Sequence, residues 1–180
     1  VFGAGAEEIL ELIAKTLMGP GDEVVYGWPS FAMYPIVIKG MGATGVPVPL
    51  DSGFVHDLDA MARAVTPRTR VMMLCNPNNP TGTSVGAEAF ERFVSELPED
   101  VVLAVDEAYY EFVRRDDFPD VVQLLARRPG TIALRTFSKV YGLAGVRIGY
   151  GICDTELASY LERARHPFNV NLLAEAAALA

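Results

Sequence analysis

The chain holds only three lysines, Lys15, Lys39 and Lys139, against twelve arginines. Lys15 falls on the polar face of an amphipathic segment, and Lys39 closes a short helical stretch before Gly40. Lys139 stands apart, because it follows the β-forming run Thr131–Arg135 through Thr136-Phe137-Ser138. An amine at the end of a buried strand can lose part of its affinity for a proton and attack a carbonyl as a Schiff-base nucleophile. A solvated loop lysine is the competing reading. Asp106 directly follows the apolar run Val101–Val105. A carboxylate there is costly unless a cation or strong donors meet it. A protonated heterocyclic nitrogen is one such cation; a helix cap, or a salt bridge with Arg135 or Arg147, is the other reading. Arg147 lies between Val146 and Ile148 and calls for an anion. With the hydroxyls of Thr136 and Ser138 it would suit a phosphate.

Helical and strand patterns alternate along the chain, the signature of an α/β domain with a largely parallel sheet. The spacing predicts helices over Glu7–Met18, Phe31–Met41, Leu58–Val65, Gly86–Leu97, Val121–Ala126 and Glu156–Arg165. It predicts strands over Glu23–Tyr26, Gly45–Leu50, Val71–Cys75, Val101–Val105, Thr131–Arg135 and Val146–Ile152. The prolines of the Gly45–Leu50 strand point to a sheet edge. Only ten residues, with two glycines, separate Arg135 from Val146. A parallel crossover needs more chain than that. The strand at Val146 is therefore expected to run antiparallel to its predecessor or to lie elsewhere in the sheet. The fold expected is a three-layer αβα sandwich around a mainly parallel, mixed sheet.

Ligands of open α/β sheets bind at the carboxyl ends of the parallel strands. Three segments end there: Asn76-Pro77-Asn78-Asn79-Pro80-Thr81-Gly82, Asp106-Glu107-Ala108-Tyr109-Tyr110 and Thr136-Phe137-Ser138-Lys139. Near the start of the chain, Gly3-Ala4-Gly5-Ala6-Glu7 opens a helix whose backbone N–H groups could approach a phosphate. The Glu7 charge would then have to point away.

Composition removes several classes of function. Hydrophobic residues make up 51% of the 180, so a real core can form. The net charge of -8 argues against coating nucleic acid or an anionic membrane. No apolar run has the length of a membrane span. Cys75 and Cys153 sit in β-like runs and read as buried thiols, which fits a reducing cytoplasm. His56 and His166 have no partners at ligand spacing, so no metal is expected. Met33, Met41, Met61, Met72 and Met73 read as core filling, and Trp28-Pro29 as the support of the loop bearing Phe31. The chain begins without Met or a basic leader and ends inside a helical pattern, so it reads as a segment of a longer protein.

Taken jointly, Asn76–Gly82, Asp106-Glu107-Ala108-Tyr109 and Ser138-Lys139 with Gly142–Gly149 resemble the fold-type I pyridoxal-phosphate aminotransferases. Gly3–Glu8, Arg135–Lys139 and Pro167-Phe168-Asn169-Val170-Asn171 resemble the histidinol-phosphate branch of that family. The resemblance implies pyridoxal 5'-phosphate as cofactor and Lys139 as the catalytic residue that links to it and moves protons. It implies that Asp106 pairs with the pyridinium nitrogen, that Asn79 and Tyr109 bind the ring oxygen, and that Phe31 stacks on the ring. Thr136, Ser138, Arg147 and the backbone of Ala6 and Glu7 would hold the phosphate, and the Asn79–Pro80 bond would be cis. It further implies a single large domain over residues 1–180, lacking an N-terminal arm and a small domain, in a homodimer with a shared site. The implied reaction is transamination between L-histidinol phosphate and 2-oxoglutarate, in histidine biosynthesis. An aromatic-amino-acid aminotransferase, a threonine-phosphate decarboxylase and a cofactor-sensing regulator module are the alternatives.

Overall fold

Continuous apolar runs become a sheet, and runs with apolar residues every three to four positions become the helices that cover it. The computed structural model describes residues 1–180. In chain order the elements are β1 (Phe2–Gly3), α1 (Ala6–Leu17), β2 (Glu23–Trp28), α2 (Met33–Gly40), β3 (Thr44–Pro49), α3 (Leu58–Arg63) and β4 (Thr69–Cys75). There follow α4 (Ala87–Glu96), β5 (Val102–Asp106), α5 (Val121–Leu124), β6 (Thr131–Thr136), β7 (Gly149–Cys153), α6 (Thr155–Ala164) and α7 (Leu172–Leu179).

The seven strands lie in the order β1-β7-β6-β5-β4-β2-β3. Strands β2 to β6 pair in parallel, and β7 runs antiparallel to both β6 and β1. The short connection after β6 thus does reverse the chain, with Thr136 opposite Gly149. Strand β3, with Pro47 and Pro49, is an edge, where a missing N–H costs no ladder bond. The chain steps outward from β2 to β3 and then returns past β2 to β4. This change of direction opens a crevice above the strand ends.

Alternation along the strands splits the core into two layers. On β4, Val71, Met73 and Cys75 face α1, α2 and α6, packing with Ile13, Ile38 and Leu161. Met72 and Leu74 face the other way, onto α3, α4 and α5, with Met61, Phe90 and Leu124. Phe93 of α4 is wholly enclosed, so Phe93→Ala should cost about 3–5 kcal/mol. The helices of each layer bring their apolar stripe to the sheet, and α3, α5, α6 and α7 open on side-chain caps from Asp57, Asp120, Asp154 and Asn171.

Four local expectations need correction. The six predicted strands become seven: Phe2–Gly3 adds β1 beside β7, too short to carry a pattern. Strand β7 starts at Gly149, three residues later than predicted, because Ala144–Val146 forms a turn of 3-10 helix. Arg147 therefore precedes the strand, in the left-handed region at φ 61°. Cys153 is only partly buried, since β7 lies towards the sheet edge, whereas Cys75 is buried.

Candidate active site

Asp106 is the last residue of β5, and the apolar residues before it place its carboxylate in the crevice floor with 4% exposure. Neither arginine considered from the sequence pairs with it. Its Oδ1 accepts the Ala108 N–H at 3.1 Å, and its Oδ2 accepts the Tyr34 hydroxyl at 3.1 Å. Burial pushes its pKa up; the Ala108 N–H, the Tyr34 hydroxyl and the charge of Lys139 pull the other way. A buried acid with two donors and room on its cavity side can receive one more cationic N–H.

Lys139 reaches the same cavity from the end of β6, its Nζ 5.0 Å from the centre of the Tyr109 ring. Asn79 enters from the β4 loop and Phe31 from the loop after β2. Those two loops are tied together: Ser30 donates to Asn78 at 2.7 Å, and Asn78 donates to the Pro29 carbonyl at 3.2 Å. The Asn79–Pro80 bond is cis, as are Trp28–Pro29 and Asn76–Pro77. Beneath them His56 is buried, its Nε2 donating to the Cys75 carbonyl at 2.9 Å.

The other end of the cavity is built for an anion. Helix α1 opens on Gly5 without a side-chain cap, leaving the first N–H groups free. Arg147 Nη2 lies 3.2 Å from the Ala4 carbonyl and its Nη1 lies 3.1 Å from the Ala144 carbonyl and 3.4 Å from Ser138 Oγ. A Cβ on Gly5 would come within 2.4 Å of this guanidinium, so glycine is what lets it approach. The left-handed backbone of Arg147 is uncommon outside glycine, and such conformations gather at ligand clamps. Glu7 does not point away as expected: its carboxylate stands 3.8 Å from Arg147, a half-exposed pair of little strength that an incoming dianion can displace. Thr136 Oγ1 accepts the Ser138 N–H at 3.1 Å and so shapes the turn that presents both hydroxyls. Asn171 donates to the Val146 carbonyl and Asn169 to Glu8, so the Pro167–Asn171 segment braces both sides of the cradle.

All ten residues singled out from the sequence border one cavity of ≈ 220 Å³, together with Cys75, Ala108 and Ala144. A larger hollow of ≈ 710 Å³ beside α7 has neither lysine nor buried acid on its walls. Sequence reasoning missed Tyr34, whose only signal is its place three residues after Phe31. It also missed the partner of Arg135, which is Glu107 at 3.0 Å, with the guanidinium stacked 3.8 Å over the Tyr110 ring. Glu107 is fully buried, and its Oε1 has no hydrogen-bond partner. Burial outweighs the pull of Arg135 and lifts its pKa to about 7.

The amine, the buried acid, the aromatic wall and the anion cradle fit a flat cationic heterocycle with a phosphate tail. The family model for aminotransferase class I and II matches residues 1–180. The chain belongs to the class I and II aminotransferases. An aromatic amino acid aminotransferase of Streptomyces avermitilis is 49% identical over 99% of the chain and 50% of its own length. A histidinol-phosphate aminotransferase of Moorella thermoacetica is 48% identical over 100% of the chain and 47% of its own length. The crystal structure of histidinol-phosphate aminotransferase from Sinorhizobium meliloti in complex with pyridoxal-5'-phosphate superposes with a TM-score of 0.93 at 33% identity, over 99% of the chain and 48% of that protein. This aminotransferase chain thus spans about half the length of the relatives it matches.

Proposed function

We propose that this chain is the cofactor-binding large domain of a pyridoxal-phosphate-dependent aminotransferase. The observation that carries the reading is the meeting of Lys139, Asp106 and Arg147 on one cavity. When bound, pyridoxal phosphate supplies an electron sink for the substrate's α-carbon electrons. Asp106 would hold a negative charge against the ring-nitrogen proton, and Phe31 would cover one ring face. Asn79 and Tyr109 would hydrogen-bond the ring oxygen. Thr136, Ser138, Arg147 and the N–H groups of Ala6 and Glu7 would hold the phosphate. Lys139 Nζ would be the base that takes the proton from the substrate α-carbon and holds it for return.

The donor we propose is L-histidinol phosphate, with 2-oxoglutarate as acceptor, which places the enzyme in histidine biosynthesis. Its support is the Pro167–Asn171 segment and the likeness to histidinol-phosphate relatives. An aromatic amino acid as donor is a second reading, favoured by an aromatic amino acid aminotransferase 49% identical to the chain, against 48% for the histidinol-phosphate relative. In this proposal an N-terminal arm, a small domain and a second copy of the chain complete the substrate site, and the enzyme works in the cytoplasm. No helix is long and apolar enough to cross a membrane.

The test is an absorbance spectrum of the complete enzyme with pyridoxal phosphate, before and after borohydride. A band shift made irreversible by reduction and mapped to Lys139 supports the reading; labelling at another lysine, or none, overturns it. Half-reactions with histidinol phosphate, phenylalanine and threonine phosphate then rank the donors.

A further inference from the structure

Tyr34 has no part in the roles described so far, yet it joins two of them. It is 1% exposed, and its hydroxyl lies 3.1 Å from Asp106 Oδ2. Its ring meets Phe31 edge-on at 5.8 Å and Tyr26 edge-on at 6.2 Å. Its N–H also donates to the Phe31 carbonyl at 3.1 Å, in the turn that opens α2. A buried phenol must place its O–H on some acceptor. Here the acceptor is the crevice-floor acid rather than a nearby carbonyl.

We propose that Tyr34 is a positioning residue that couples Asp106 to the stacking wall at Phe31, keeping the acid ionised and turned towards the ring nitrogen of the cofactor. The inference rests on the pyridoxal-phosphate reading above. Two protein donors serve Asp106, the Ala108 N–H on Oδ1 and the Tyr34 hydroxyl on Oδ2. They act on different oxygens, so together they fix the plane of the carboxylate. Loss of the hydroxyl frees Oδ2 to rotate and leaves a buried charge with one donor. Burial already favours the neutral acid at this position. A neutral Asp106 cannot hold a proton on the ring nitrogen. The aromatic contacts pass the same constraint to Phe31, so the covered face and the charged edge of the ring are set by one side chain.

The experiment uses the complete enzyme loaded with pyridoxal phosphate isotopically labelled at the ring nitrogen. Tyr34→Phe keeps the packing and removes the hydroxyl. The ring-nitrogen resonance should move towards the unprotonated position, and the Kd for pyridoxal phosphate should rise about tenfold, as for a lost hydrogen bond to a charged group. In an Asp106→Asn background the same substitution should change that Kd by less than about twofold, since the coupling is gone. A Tyr34 that merely fills space would lose equally in both backgrounds. Should Tyr34→Phe fold poorly, difluorotyrosine in place of Tyr34 keeps the shape and sharpens the donor, and the resonance should move the opposite way. An unchanged resonance and Kd, equal losses in both backgrounds, or a difluorotyrosine shift in the same direction would overturn the inference. Wild-type enzyme that takes up no pyridoxal phosphate would instead remove the reading on which it rests.

Discussion

At one end of the cavity Asp106 is 4% exposed and has a donor on each oxygen. At the other end the Arg147 side chain is 44% exposed, and its carboxylate neighbour Glu7 stands 3.8 Å away. The acid end is desolvated before any ligand arrives, so its orientation costs nothing on binding, and salt has little access to it. The anion end remains wet and loosely paired. It draws a charged tail from solution and closes its hydrogen bonds only when that tail is present. Two clamps on one ligand therefore differ in kind: the first discriminates by geometry and the second captures by charge.

The bridge between the two clamps should give the largest loss when removed. Lys139→Ala should leave far-ultraviolet circular dichroism unchanged and lower transamination by at least about a thousandfold; retained turnover would count against the assigned chemistry. At the buried clamp, Asp106→Asn should lower kcat/KM by about a hundredfold or more, and cofactor affinity in this variant should still fall with added salt. At the open clamp, Arg147→Ala should weaken cofactor binding about tenfold and flatten its salt dependence. Equal salt sensitivity in the two variants would erase the distinction between the ends. The smallest effect concerns Glu107 behind the acid. Its pKa rises from the ordinary 4.5 to about 7 in the folded state, so the native protein binds this proton more tightly than the unfolded chain does. That contribution to stability is full below about 4.5 and is lost as pH rises through about 7. Glu107→Gln should flatten the fall in melting temperature across this window, as read by calorimetry at a series of pH values.

The chemistry of the site was legible wherever a residue contradicted its surroundings. Lys139 is a rare lysine at a strand end, and Asp106 is a charge closing an apolar run, so each announces an unmet demand within a few residues of sequence. The reversal after β6 was legible for a different reason: the connection is too short for anything but an antiparallel return or a displaced strand. Tyr34 was hidden because nothing in the helical pattern around it separates a phenol that donates to an acid from one that fills a core. Its partner lies 72 residues away. Arg135 and Glu107 were hidden likewise, since their pairing depends on β5 and β6 being neighbours, which periodicity does not specify. Arg147 was misread as a strand residue because its apolar flanks continue the β pattern, while the backbone turns left-handed to aim the side chain into the cradle.

Because β7 runs against its neighbours, its first residues begin at the same rim where β6 stops. The amine and the guanidinium are thereby set apart by a single short loop that returns the chain with Thr136 opposite Gly149. That loop is itself fastened to the site, with the Gly142 N–H on the Lys139 carbonyl, the Leu143 N–H on the Phe137 carbonyl and the Ala144 carbonyl on Arg147. The distance between the two charges is thus held by a short tether of backbone bonds above the hydrophobic layers, and a change of length there would be felt at both charges at once.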